Sequence, residues 1–117
     1  MTDYAIEASG IKNAAGELAE RFKNSNLYQD YREYKKTLEE DPLLAERVVA
    51  FKKSQMELEM KRMREGVVSF DEEKRVAYQY SDLLLHPVAK AFLACEYELL
   101  GLYQEVMDVI CGACEMD

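Results

Sequence analysis

At 117 residues the chain has room for one domain with a modest core and not for two. Hydrophobic residues make up 49% and charged residues 32%, a balance that suits a folded helical protein and excludes a disordered chain. The net charge of -8 and pI near 4.7 exclude phosphate-driven nucleic-acid binding, which draws its affinity from Lys and Arg, so any contact with RNA would pass through a partner.

Only 5 Gly, 2 Pro and no Trp are present, so turns are few and helices long. The N-terminus lacks a basic region followed by an apolar core, and no apolar run approaches the ~18 residues of a membrane span. A cytoplasmic location is expected. Three unevenly spaced cysteines do not form a secreted disulfide framework.

The pattern predicts a first helix from about Tyr4 to Lys23, with Ile11, Ala14, Ala15, Leu18, Ala19 and Phe22 on one side and Glu17, Glu20 and Arg21 on the other. Asn24-Ser25-Asn26 breaks it, because short polar side chains compete for backbone hydrogen bonds. A second helix, about Leu27 to Glu39, keeps Leu27, Tyr31, Tyr34 and Leu38 in register. Asp41-Pro42 marks the next boundary, with Asp as a cap and Pro at a first helical position.

The third helix should run from Pro42 to about Glu65, with Gly66 as its exit. It carries two stripes: Leu44, Val48, Phe51, Gln55 and Leu58, and beside them Val49, Met56, Met60 and Met63. The methionines would fill a core or dimer seam, or else line an adaptable groove. Ser69 to Glu72 matches a capping box opening a fourth helix, about Asp71 to Leu85, that buries Val76, Tyr80, Leu83 and Leu84. The last helix, Pro87 to Ile110, also has two stripes. Val88, Phe92, Cys95, Leu99, Leu102, Val106 and Val109 make one, and Ala89, Leu93, Leu100 and Met107 the other.

These elements give an all-α fold of about five helices in a single bundle with a long central hairpin. Two doubly striped helices exceed what so short a chain can cover, so self-association as a dimer or tetramer is expected. The interface is expected at Val48, Phe51, Met56, Met60, Phe92, Leu99 and Leu102.

Chemistry finds little purchase. With His86 as the only histidine, HExxH zinc sites, Glu-x-x-His di-iron sites and His-dependent triads within one chain are excluded. His86 should cap the last helix or face solvent. Glycine-rich phosphate loops are absent, and the Glu-rich faces read as solvated surface. The exception is Cys111-Gly112-Ala113-Cys114, a CxxC whose thiolates could chelate zinc or an iron–sulfur cluster or form a redox disulfide. Such sites normally take four ligands, and the 16 residues from Cys95 to Cys111 span about 24 Å of helix. A metal would need a second chain. A redox role is disfavoured at a helix C-terminus, whose dipole opposes a thiolate.

Three segments carry a family resemblance: "AAGELAERFKNS", "YQDYREYKKTLEEDPLLAERVVAFKKSQMELEMKRMREG" and "HPVAKAFLACEYELLGLYQEVMDVI". With the Asp41-Pro42 boundary, Phe51 and Gln55, and the register of Pro87, Val88, Phe92 and Glu96 leading to Leu99 and Val106, the chain resembles the YlbF/YmcA family of small bacterial helical proteins. Its length and Gly66 hairpin are most similar to the YheA-like branch. The resemblance implies a self-associating helical regulator without catalytic activity. It also implies partners among other family members or an RNA-processing complex around the endoribonuclease RNase Y, and roles in competence, sporulation and biofilm formation. Some complexes of the family carry iron–sulfur clusters on cysteines. Here the Cys111/Cys114 pair directly follows the last helix, without a long cysteine-bearing tail. The competing expectation is a metal- or cluster-dependent sensor that uses this pair across a dimer.

Overall fold

The computed structural model describes residues 2–115. Five helices follow in order: α1 (Thr2–Lys23), α2 (Asn26–Glu39), α3 (Pro42–Glu65), α4 (Phe70–Leu83) and α5 (Pro87–Ala113). No strand occurs among the described residues, so the all-α expectation holds.

The boundaries follow from capping chemistry. Ser25 is extended, its Oγ accepts from the Tyr28 N–H at 3.2 Å, and its hydroxyl donates to the Phe22 carbonyl at 2.6 Å. Asp41 Oδ1 accepts from the Leu44 N–H at 3.3 Å, with Pro42 opening α3. Gly66 ends α3 at φ 81°, a left-handed conformation that a side chain would strain, and its N–H donates to the Arg62 carbonyl at 2.8 Å. At Ser69 the cap is reciprocal: the Glu72 N–H donates to Oγ at 3.1 Å and the Ser69 hydroxyl donates to Glu72 Oε1 at 3.0 Å.

Two expected limits need correction. Helix α4 stops at Leu83 rather than Leu85, because Leu85 and His86 donate back to Asp82 and Leu83 in turns that bring the chain to Pro87. The residue before a proline is biased towards extended backbone, and His86 adopts it at φ -104°, ψ 111°. Helix α5 continues past Ile110 to Ala113, so Cys111 lies in its last turn rather than beyond its end.

Helices α3 and α4 form an antiparallel hairpin. Phe51 stacks on Tyr80 at 5.4 Å, Lys61 pairs with Glu72 at 2.7 Å and Arg62 with Glu73 at 3.1 Å near the turn, and Arg47 pairs with Asp82 at the far end. Helix α2 packs antiparallel along α5, where Tyr31 stacks on Phe92 at 5.4 Å and the Cys95 thiol contacts the Leu27 carbonyl at 3.9 Å. The two pairs meet in one core of Leu38, Leu44, Val48, Phe51, Leu83, Ala89 and Phe92. Each large apolar side chain fully buried there contributes about 1.5–3 kcal/mol.

Helix α1 departs from the expected single bundle. Its residues 11–20 are all exposed, and its C-terminal end is held by Phe22 against Tyr103 at 4.7 Å. The radius of gyration is 18.7 Å, where a compact chain of this length has about 13 Å. The Ile11, Ala14, Ala15, Leu18 and Ala19 face is therefore uncovered, although its amphipathic pattern matches that of a packed helix.

Candidate interaction surfaces

Of the residues expected at an oligomer interface, Val48, Phe51, Phe92 and Leu99 are corrected to core positions, since each is buried inside the chain itself. The reason lies in α3, whose first stripe buries its apolar members Leu44, Val48, Phe51 and Leu58 within the chain while the second stays open. Met56 and Met60 remain available at 65% and 56% exposure, and Leu102 is half-buried beside α2. Val49 and Met63 extend the open face, so the methionines do not fill this chain's core. Helix α5 divides by position instead: Ala89 and Leu93 lie in or against the core, whereas Leu100, Met107 and Ile110 lie uncovered. In α4, Leu83 is buried and Val76 packs on the core, but Tyr80 and Leu84 are corrected to surface positions.

An open groove of about 600 Å³ runs between α3, α4 and α5, walled by Phe51, Leu58, Val76, Tyr80, Leu93 and Leu100. Its charged rim is occupied by ion pairs, Lys52 with Glu96 at 2.6 Å and Arg62 with Glu73 at 3.1 Å. Helix α1 offers a third open face. There Ile11 is 71% exposed, and Tyr4, outside the expected apolar face, is exposed as well. The four-three spacing that continues from Phe22 back to Tyr4 was the signal that could have included it.

His86 occupies the N-cap of α5 without a side-chain cap, and its Nε2 lies 3.3 Å from Arg47 Nη1. Cys95 is half-buried between α2 and α5, where burial, assisted by the Asp30 and Glu98 carboxylates, pushes its thiol up. Cys111 is half-buried and Cys114 exposed. Among the described residues no group of three or more His, Cys, Asp or Glu side chains is placed to hold a metal ion. The donor set of one chain therefore does not fit a four-ligand zinc or iron–sulfur site. No helix of the described residues is long and apolar enough to cross a membrane.

Comparison with known proteins finds relatives that align over most of the chain. A UPF0342 protein of Caldicellulosiruptor saccharolyticus is 28% identical over 106 residues, covering 91% of this chain and 88% of the relative. A UPF0342 protein of Caldicellulosiruptor bescii is 28% identical over 105 residues, covering 90% and 88%. One from Halothermothrix orenii is 26% identical over 107 residues, covering 91% and 90%. No solved structure matches. The family model described as control of the competence regulator ComK, YlbF/YmcA, matches residues 11–113, and the chain therefore belongs to the YlbF/YmcA family.

Proposed function

We propose that the chain is a non-enzymatic regulatory or scaffolding subunit that works through helix-mediated contacts with other proteins, in the cytoplasm. The observation that carries this reading is the set of uncovered apolar faces on α1, α3 and α5, since contiguous exposed apolar surface marks sites of association. The family's description as control of a competence regulator supports a regulatory role. Its partners are a second copy of the chain together with other family members or an RNA-processing complex, reached by protein contact because the net charge is -8.

The test is affinity capture of the chain from its native cell at native abundance, with identification of co-purifying proteins. Stoichiometric recovery of regulatory or RNA-processing proteins, lost on substituting the exposed apolar residues, is the expected result. Recovery of the chain without any such protein would overturn the reading.

A further inference from the structure

We propose that α1 pairs antiparallel with the α1 of a second copy, forming a two-stranded coiled coil that holds a dimer together. This deepens the reading of a self-associating regulator and rests on it. The sequence of α1 carries a strict alternation of four- and three-residue steps through Tyr4, Ala8, Ile11, Ala15, Leu18 and Phe22. That is an unbroken a/d seam over the whole helix, flanked by Ala14 and Ala19.

Three observations require the seam to have a partner. Helix α1 holds 22 residues, of which 11–20 are all exposed, from Ile11 at 71% to Leu18 at 37%, yet it includes Gly10 and Gly16, each costing helix stability relative to Ala. A lone helix of this length and composition is marginal in water. The chain exposes 9414 Å², whereas a compact protein of 13.5 kDa exposes about 6,500 Å². The excess of about 2,900 Å² per chain is on the scale of an obligate dimer interface.

The order of large and small residues selects the orientation. Ala8 and Ala15 occupy one core position and Tyr4, Ile11 and Leu18 the other. In a parallel pair like meets like, so Ala-on-Ala layers alternate with Ile-on-Ile and Leu-on-Leu layers, which one helix separation cannot fill. In the antiparallel pair Ala8 meets the partner's Leu18, Ile11 meets the partner's Ala15, and Tyr4 reaches the half-exposed side of the partner's Phe22, whose other side packs on Tyr103 of its own chain. Every layer then combines large with small, except the aromatic pair that closes each end. The same register sets Glu7 beside the partner's Arg21 twice, by symmetry, against one exposed Lys12 pair near the two-fold axis. It also puts the two globular bodies at opposite ends of the coil.

The full chain should sediment as a dimer at micromolar concentration. Ile11→Asp and Leu18→Asp should each weaken the dimer about tenfold or more, since a charge enters an apolar seam. Met60→Asp and Met107→Asp, on the other open faces, should leave it intact. A monomeric wild type overturns the proposal, as does a dimer that survives both α1 substitutions. In the second case self-association stands and only its place moves. Orientation is read from a charge swap: Glu7→Arg and Arg21→Glu should each weaken the dimer several-fold, and the double variant should recover it. A double variant as weak as the singles overturns the antiparallel register.

Discussion

Lys52 donates to Glu96 Oε2 at 2.6 Å while the same ammonium stands 5.8 Å above the Phe92 ring. One side chain on α3 thus pins α5 through a charge and an aromatic face, at the junction of the α3–α4 hairpin and the α2–α5 pair. The Glu96 side chain keeps only 15% of its exposure, so this pair is better shielded from water than the ion pairs of the hairpin. Lys52→Met should cost about 1 kcal/mol, combining a partly shielded ion pair with a cation–π contact. Chemical denaturation of both proteins checks this, and an unchanged midpoint would place the pair among ornamental surface contacts.

Phe51 and Phe92 lie on the seam between the two helix pairs at 4% and 5% exposure. Replacing either with Ala should remove about 3–5 kcal/mol, the range for emptying a buried aromatic site. Met60→Ala, on the open face of the same α3, should change stability by about 0.5 kcal/mol or less. Thermal melts at several protein concentrations separate folding losses from any contribution of association.

Acid should loosen the tip of the hairpin. The hydrogen bond from Lys61, followed by that from Ser69, holds the Glu72 carboxyl below the usual glutamate range, and the same bond raises Lys61. A carboxyl depressed in the folded chain stabilises fully above its unfolded value and loses that contribution as pH falls through its folded value. A raised lysine stabilises below its unfolded value and loses the contribution as pH rises through its folded value. The advantage of the wild type over Glu72→Gln should therefore be flat around neutrality, shrink below the ordinary carboxylate range and shrink again in strong base. Hydrogen exchange of the α3 and α4 amides flanking Gly66, followed across pH, reads it directly.

The three cysteines should separate by environment. Cys114 is exposed, whereas Cys95 is half-buried with its thiol raised, so alkylation at neutral pH should modify Cys114 well before Cys95. Mass spectrometry of a timed iodoacetamide reaction gives the order. Replacing Cys111 and Cys114 together with Ser should leave stability within about 0.5 kcal/mol. A stoichiometric metal lost together with association in that variant would show that two chains assemble a shared site.

The five helices, and the ends that carry a capping residue, were legible in the sequence because these depend on local chemistry. Ser25, Asp41 and Ser69 accept backbone N–H groups three residues on, and Gly66 adopts a left-handed turn. Pairing was not legible even for Val48 and Phe51, which share a stripe with Leu44, were expected at an oligomer interface and lie in the core. Periodicity reports only that a face is apolar and does not say what covers it, which is why α1 reads like a packed helix and stands open. The choice between the two stripes of α3 belonged to tertiary structure alone. Both satisfy the same helical spacing, and only the hairpin at Gly66 and the crossing at Lys52 and Glu96 turn Phe51 inward and leave Met56 and Met60 outside. The same holds along α5, where α2 is only 14 residues long and cannot shield the far half of a 27-residue helix. Helix length is written locally, but the match between two lengths exists only once the helices are packed.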